Sequence, residues 1–298
     1  MATFKVDTEQ HGELNCWRIT SRHAELLIAQ QGAQILSYQP IGDEPLLWLS
    51  DQAIFRQGKS VRAGVPVCWP WFSNFQRNPD SVKAMYHGSE APAHGLARGR
   101  DWELLGVEEV GENLRIEFDL PEAQGQLPDW PHKVELRLLI ELGEQLHVSL
   151  CSRNLGDASV TLSQALHSYF AVSDVRQVHV EGVEGLPYIE TLEGWEQRTQ
   201  QGKLCFAGET DRIYLNAPER LAIVDPQWKR RITLHATGSR GAVIWNPWTD
   251  RARELPDMAD DGWQRMLCVE TANVWDDVVE LKPGASHVLG VVIGREAL

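Results

Sequence analysis

Short runs in which apolar and polar residues alternate recur along most of this chain, and they constrain its fold more than any other feature. Residues 114–120, 134–141 and 231–235 are clear examples. Strict alternation over such a length is typical of a β-strand with one buried face. Runs with helical periodicity are scarce, and residues 253–264 are the best candidate for one or two helical turns.

Turn signals separate these runs at short intervals. Gln31-Gly32 lies between the strand-like residues 24–29 and 34–38, and Gly143 lies between residues 134–141 and 145–151. Such spacing predicts hairpins of antiparallel strands. Residues 287–293 are nearly all apolar, as in a central strand. With no Pro- or Ser-rich linker, the pattern predicts one all-β domain over residues 1–298, a large sandwich or barrel.

The charge and the cysteines restrict the partners and the compartment. The 42 acidic and 28 basic side chains give a formal charge of −14, which disfavours nucleic acid and anionic membranes as partners. No apolar stretch is long enough to span a bilayer, and the first ten residues lack the apolar core of a signal peptide. The 5 cysteines are scattered, as expected of free thiols in a reducing compartment. We therefore expect a cytoplasmic protein.

Motifs for cofactors and metals do not occur. The chain has no G-x-G-x-x-G, no G-x-S-x-G and no H-E-x-x-H, and the acid pairs Asp260-Asp261 and Asp276-Asp277 lack the spacing of a calcium loop. We expect neither an organic cofactor nor a metal.

The segment of residues 61–72, V-R-A-G-V-P-V-C-W-P-W-F, has an unusual composition. Its two prolines favour a rigid, irregular segment over a central strand. Aromatic rings beside Arg62 would suit a pocket that stacks a sugar and binds an anion. A corner of the core with a surface arginine explains the segment equally well.

The segment A-H-G-L-A-R, residues 93–98, places His94 and Arg98 close to Gly95. The glycine indicates a backbone position where a side chain does not fit. Together with Arg62, these side chains would suit a phosphate, because arginine forms bidentate, charge-assisted hydrogen bonds to it. Taken singly, either arginine could be an ordinary surface residue.

Two polar residues lie within apolar, strand-like runs. Residues 162–170 read as one strand with His167 on the face of Ala165 and Tyr169, and Glu270 shares its face with Cys268 and Ala272. A carboxylate in such a run either faces solvent or has a buried partner. Facing each other across a cleft, the two would form an acid–base pair, whereas each alone could be a structural residue.

Five motifs occur in the order R-x-G-x-P-x-x-W-P-x-F, H-G-L-A-R, L-H-S-Y-F, T-D-R-I-Y and C-V-E-T-A, allowing Ala63 in the first where many relatives have glycine. Together they resemble the hexose-6-phosphate mutarotases of the aldose 1-epimerase superfamily, from about Gln31 to the C-terminus. The resemblance implies a large antiparallel β-sandwich of the galactose mutarotase type. It also implies an isomerase that interconverts the α and β anomers of an aldohexose 6-phosphate. Apart from the resemblance, we expect the protein to be a monomer whose partner is a small sugar phosphate.

By resemblance, His167 is the general acid and Glu270 the general base. Arg62 and Arg98 correspond to phosphate-binding arginines, and Asp211 to a residue that contacts the substrate. His94 is expected to line the same pocket. Ala93 stands where some relatives have a glutamine that touches the ligand, so the preferred hexose stays open.

Other functions remain as alternatives. A mutarotase of unphosphorylated aldoses would leave two convergent guanidiniums without a role, and a non-catalytic carbohydrate-binding protein would not need a His–Glu pair. A glycosidase would need a second carboxylate beside Glu270, and none stands out in the sequence.

Overall fold

The computed structural model describes residues 4–298, which form twenty-three β-strands with very little helix. The strands, in chain order, are β1 Phe4–His11, β2 Leu14–Ser21, β3 Ala24–Ala29, β4 Ile35–Pro40, β5 Val67–Cys68, β6 Glu103–Val110, β7 Asn113–Asp119, β8 Val134–Leu142, β9 Leu146–Asn154, β10 Val160–Leu162, β11 Gln164–Leu166, β12 Tyr169–Ala171, β13 His179–Glu181, β14 Pro187–Glu190, β15 Glu196–Thr199, β16 Leu204–Cys205, β17 Thr210–Tyr214, β18 Arg220–Asp225, β19 Arg230–Thr237, β20 Gly241–Asn246, β21 Met266–Asn273, β22 Val279–Leu281 and β23 Ser286–Ala297.

The helical elements are short. The α-helices are α1, Asp80–Lys83, and α2, Trp248–Arg253. Single 3₁₀ turns cover Phe75–Arg77, Ala97–Gly99, Pro121–Ala123, Gly262–Arg265 and Trp275–Asp277. Within residues 4–298, no helix has the length and apolarity that a bilayer crossing requires.

Two large antiparallel sheets dominate the fold. One has nine strands in the order β16-β13-β18-β19-β23-β9-β8-β7-β6. The other has eight, with the order β15-β14-β17-β20-β21-β11-β5 and β12 paired to β21. Strands β1 to β4 form a separate four-stranded sheet, and β10 pairs with β22. The prediction of an all-β, antiparallel fold is confirmed.

The alternation in the sequence explains how the nine-stranded sheet packs. In β8 every second residue, from Val134 to Leu142, is buried, and β9 follows the same pattern. These side chains form one apolar cluster with residues of the other large sheet, such as Ile244 and Val269. Because alternate side chains leave opposite faces of a strand, each strand contributes one row to this core.

The eight-stranded sheet is covered on both faces. All eight residues of β21 are buried, and β23, predicted as a central strand, lies between β19 and β9 of the other sheet. Ile213, Val243 and Ala272 belong to a second apolar cluster, distinct from the main core. Side chains on this second face form the floor of the site described below.

Three local predictions differ from the structure. Residues 162–170 form three short strands with a break at His167 and Ser168, not one strand. The helix expected within residues 253–264 comes earlier, as α2, and is followed by an irregular segment and a 3₁₀ turn. β13 begins at His179, three residues after the alternation starts at Arg176.

Candidate active site

A cavity of about 480 Å³ opens on the second face of the eight-stranded sheet. Every residue predicted from the sequence for the site lines it: His167, Glu270, Arg62, His94, Arg98 and Asp211. These residues come from distant parts of the chain, so the fold brings together the segments that the sequence presents separately.

Strand β21 sets the direction of Glu270. Leu267 and Val269 belong to the main core, whereas Ala272 belongs to the second cluster. Because side chains alternate along a strand, Glu270 projects on the side of Ala272, toward the cavity.

The register of the sheet extends this polar floor across four strands. Tyr169 pairs with Cys268, Cys268 with Trp245, and Trp245 with Asp211. Directly paired residues share a face, so Tyr169, Trp245 and Asp211 all project on the side of Glu270. Tyr169 and Trp245 received no role from the sequence.

His167 lies in the break between β11 and β12, where its backbone N–H donates to the carbonyl of Pro66 at 3.0 Å. Its ring stacks on Tyr169, with centroids 4.9 Å apart and planes at 14°. The ring of His94 meets it edge-on at 5.3 Å. The imidazole is thus clamped between aromatic rings, with 9% of the residue exposed.

The Nε2 of His167 lies 3.4 Å from Oε1 of Glu270. Burial, followed by the charge of Arg98, lowers the pKa of His167 to about 3. Burial, followed by the charge of Asp211, raises the pKa of Glu270 well above its ordinary value. Both effects oppose separated charge, so they favour the form in which Glu270 carries the proton that the two groups can share.

Two atoms of this pair, His167 Nδ1 and Glu270 Oε2, are buried without a hydrogen-bond partner. Most buried polar atoms in folded proteins are hydrogen-bonded, and exceptions are common where a ligand or a reaction needs them. The arrangement is that of a buried acid–base pair at the base of a cavity.

Arg62 is fixed by two partners. Its Nε donates to Oδ1 of Asp257 at 2.7 Å, and its Nη1 donates to the hydroxyl of Tyr169 at 3.2 Å. Burial lowers the pKa of Arg62, but Tyr169 and Asp257 more than offset this, so the guanidinium stays charged. Asp257 was not identified from the sequence, because a lone aspartate in a loop carries no pattern.

Arg98 differs from Arg62 in having no carboxylate partner. Its Nη2 donates to the carbonyl of Ala93 at 2.7 Å, and among residues 4–298 no carboxylate lies within ion-pair distance of it. It nevertheless lines the cavity and lowers the pKa of both His167 and His94. An uncompensated guanidinium in a cavity is a place for an anion.

His94 has an unusual backbone conformation, and its ring is held by contacts with two neighbouring residues. Its φ is +63°, and its Nδ1 accepts the N–H of Ser73 at 3.3 Å and lies 3.2 Å from the Cys68 thiol. Burial, followed by Arg98, lowers its pKa well below the ordinary value. With Nδ1 accepting, the neutral ring carries its proton on Nε2.

Gly95 confirms the prediction of a position that excludes a side chain. Its φ is +78°, and a Cβ there would lie 2.1 Å from the carbonyl oxygen of Trp69. This close approach holds the loop of His94 and Arg98 against the segment of Arg62.

Asp211 lies on β17 and is the one carboxylate whose charge acts on Glu270. Burial raises the pKa of Asp211 to about 6. Near neutral pH this side chain can therefore serve as an acceptor for a sugar hydroxyl.

The tryptophans of residues 61–72 do not line the cavity. Trp69 and Trp71 are buried in the main core, whereas Val61, Arg62, Pro66 and Phe72 of the same segment line the cavity. The segment is therefore both a corner of the core and a wall of the site.

Two other tryptophans, Trp195 and Trp275, line the cavity instead. Trp195 and Trp275 stack at 5.9 Å, and Arg77 covers the Trp195 ring at 4.7 Å. Both tryptophans have positive φ, near +60°. A tryptophan in the left-handed region is unusual, so no sequence rule would have selected these positions.

His167, Cys268 and Glu270 have donor atoms within 4.8 Å of one another, a spacing that a metal site also shows. Burial raises the pKa of both the thiol and the carboxyl, so an ion would have to displace both protons. It would also lie near the charges of Arg62 and Arg98. The donor set fits an acid–base pair better than a metal centre.

The chain matches the aldose 1-epimerase family over residues 15–294. It belongs to the aldose 1-epimerase family. This agrees with the superfamily that the sequence motifs resemble.

Curated relatives support the same assignment. A protein of Cenchrus ciliaris, provisionally named glucose-6-phosphate 1-epimerase, is 36% identical, covering 85% of this chain and 76% of the relative. An Escherichia coli K12 protein with the same provisional name is 35% identical, covering 87% and 83%.

Among solved structures, a protein of Salmonella typhimurium, provisionally described as a mutarotase, superposes with a TM-score of 0.88 at 28% identity, covering 98% of this chain and 94% of its own. A galactose mutarotase-like protein from Clostridium acetobutylicum superposes with a TM-score of 0.74 at 15% identity over the whole of both chains. The second likeness concerns the fold, which is the galactose mutarotase-like fold predicted above.

Proposed function

We propose that this protein interconverts the α and β anomers of an aldohexose 6-phosphate, with glucose 6-phosphate as the first candidate. The proposal rests on the family, on the provisional names of the relatives, and on the side chains that meet in the cavity. The observation that carries it is an acid–base pair, His167 and Glu270, in one cavity with two guanidiniums.

In this mechanism Glu270 removes the proton from the anomeric hydroxyl while His167 protonates the ring oxygen. The C1–O5 bond breaks, and the sugar opens to the aldehyde. Rotation about C1–C2 presents the other carbonyl face, and as the ring closes Glu270 returns its proton to the carbonyl oxygen while His167 takes back the proton of the C5 hydroxyl. General acid–base catalysis contributes about 10²–10⁴-fold, and positioning of the sugar adds to it.

The single proton of the pair suits this reversible reaction. Ring opening starts with the proton on His167 and the carboxylate of Glu270 free, and ring closure starts from the opposite arrangement. Because the two groups exchange roles, one proton suffices for both directions.

Arg98 and Arg62 would hold the phosphate. The two guanidiniums line the same cavity as the imidazole, and the charges of both act on it. The overall charge of −14 repels a sugar phosphate, so the attraction has to come from these local cations. Asp211 would accept a hydroxyl of the sugar, and His94 would line the pocket beside it.

Exchange spectroscopy tests this function. Two-dimensional exchange NMR at equilibrium measures anomer interconversion directly, and we expect kcat/KM for glucose 6-phosphate to exceed that for glucose by at least tenfold. Equal values would favour a mutarotase of unphosphorylated aldoses. Binding without exchange would favour a carbohydrate-binding protein.

We propose further that the protein is a cytoplasmic monomer. All five cysteines are free, three of them buried, as is usual where thiols stay reduced. Gel filtration with light scattering measures the oligomeric state, and a dimer mass would contradict the second half of this proposal.

A further inference from the structure

The charges around His167 are unbalanced in a way that a bound anion would correct. Ionisable groups from several elements lie around it. The strands contribute Tyr169 of β12, Cys268 and Glu270 of β21, Asp211 of β17 and Cys68 of β5. The segments outside the strands contribute His94, Arg98, Arg62 and Asp257. Burial keeps the thiols and the tyrosine neutral by raising their pKa.

The remaining charges do not cancel on the side of His167. Arg62 is paired with Asp257 at 2.7 Å, whereas Arg98 has no carboxylate partner among the described residues. Both guanidiniums disfavour a positive charge on His167, while the charge that acts on Glu270 is that of Asp211. The cations therefore act against the protonated form of His167.

From this arrangement, and resting on the function proposed above, we infer that the substrate's phosphate activates the acid–base pair as well as anchoring the sugar. When a dianion binds Arg98 and Arg62, the shared proton leaves the carboxyl of Glu270 and is transferred to His167. No other proton is gained or lost, and the pair reaches the form from which ring opening starts.

Geometry provides a path for this coupling. The hydroxyl of Tyr169 accepts from Arg62, and the ring of the same residue stacks on His167 at 4.9 Å. Arg98 follows His94 by four residues, and the His94 ring lies 5.3 Å from that of His167. Arg62 is thus joined to the acid through the side chain of Tyr169, and the charge of Arg98 acts on both His94 and His167.

The test supplies the sugar and the dianion as two separate molecules. D-Xylose, an aldose that lacks C6, is used as substrate, and phosphite is added as the separate dianion. We expect phosphite to raise kcat/KM for xylose by about 5- to 150-fold, the usual range of coupling between two binding sites, and to do so with saturation. With glucose 6-phosphate as substrate, phosphite should only compete.

Controls remove trivial explanations. Exchange of xylose with phosphite but without enzyme is subtracted, because phosphite itself is a weak base catalyst, and sodium chloride replaces phosphite at equal ionic strength. Arg98→Gln should lose the phosphite response. Arg100→Gln, which makes the same charge change two residues away at a guanidinium paired with Glu122, should keep it.

NMR spectroscopy measures the protonation state of His167 directly. In protein labelled with ¹⁵N-histidine, two-bond ¹H–¹⁵N correlations distinguish neutral imidazole from imidazolium, and His167→Gln assigns the signal among the 10 histidines. We expect the His167 signal to shift toward imidazolium when phosphite binds, in wild type and in Arg100→Gln, but not in Arg98→Gln.

The outcomes are distinct. Unchanged xylose exchange, an equal increase in wild type and Arg98→Gln, or a His167 ring that stays neutral with phosphite bound would each overturn the inference. If glucose 6-phosphate is preferred over glucose in the same experiments, the proposed function survives that failure. If glucose 6-phosphate is not preferred over glucose, the proposed function itself is wrong.

Discussion

The guanidinium of Arg62 is oriented by Asp257, a residue far along the chain whose Oδ1 accepts from Arg62 Nε at 2.7 Å. Asp257 is itself held in place, because its carbonyl accepts from the hydroxyl of Ser50 at 2.6 Å. With Nε and Nη1 engaged, the guanidinium cannot rotate freely, which leaves Nη2 for a ligand. Such preorganisation reduces the entropy that binding must offset.

Asp257→Ala should therefore weaken binding more than chemistry. We expect KM for glucose 6-phosphate to rise about tenfold, equivalent to about 1.4 kcal/mol, with a smaller change in kcat. Steady-state kinetics on the purified variant measure both. Asp250→Ala, at an exposed carboxylate on α2, is the matched control. A fall in kcat with KM unchanged would assign Asp257 a different role.

The phosphate-binding role of the arginines predicts a selective loss. Arg98→Ala and Arg62→Ala each remove charged hydrogen bonds worth about 1.5–3 kcal/mol, so the affinity for glucose 6-phosphate should fall by about one to two orders of magnitude. Lysine should restore only part of it, because an ammonium lacks the planar fork. Isothermal titration with glucose 6-phosphate measures this, and equal losses for glucose would mean that the arginines shape the sugar pocket.

The acid–base assignment predicts that His167→Asn and Glu270→Gln each reduce exchange by about 10²–10⁴-fold. Both substitutions keep the approximate volume of the side chain, so the fold and ligand binding should persist. Exchange NMR gives the rate, and circular dichroism with ligand titration checks the fold and the binding. Wild-type turnover in either variant would show that the residue is structural.

The sequence predicted some of this site and could not have predicted the rest. The apolar run of residues 266–272 identified the strand that carries Glu270, because a carboxylate interrupts such a run visibly. Asp211 was assigned only through the resemblance of T-D-R-I-Y to a family motif. The break at His167 stayed hidden, since its backbone hydrogen bond goes to Pro66, a partner that only the folded chain provides.

Asp257, Trp195 and Trp275 were not predicted from the sequence, for a related reason. Asp257 and Trp195 lie in turns and Trp275 begins a 3₁₀ turn, so no strand or helix periodicity marks them. The two tryptophans also adopt a backbone conformation that their residue type disfavours. Tertiary contacts, such as the stacking of the two indoles at 5.9 Å, determine where they point.

Gly95 allows a test of the packing that holds the site together. Gly95→Ala would place Cβ 2.1 Å from the carbonyl oxygen of Trp69, so we expect a destabilisation well beyond the about 1–2 kcal/mol cost of a left-handed alanine. Gly42→Ala is the matched control, since its φ is +75° with nothing within 4 Å of the new Cβ. Urea denaturation compares them, and equal losses would show that the contact is easily relieved.

Burial of Glu270 predicts a pH-dependent effect on stability. Its pKa is raised well above the ordinary value in the folded protein, because burial and Asp211 disfavour the carboxylate. As the pH rises above 4.5, the unfolded chain releases this proton while the folded protein keeps it. The contribution of Glu270 to stability is therefore present at low pH and is lost as the pH rises toward the folded pKa.

Glu270→Gln removes this titration while keeping the shape of the side chain. Relative to wild type, the variant should gain stability as the pH increases from 4.5 to 8, with the smallest difference at the acidic end. Thermal unfolding at a series of pH values measures the difference in Tm, and Glu280→Gln, at an exposed strand residue, is the control. A difference that does not change with pH would mean that Glu270 is ionised in the folded protein, and the resting proton of the acid–base pair would then have to lie on His167.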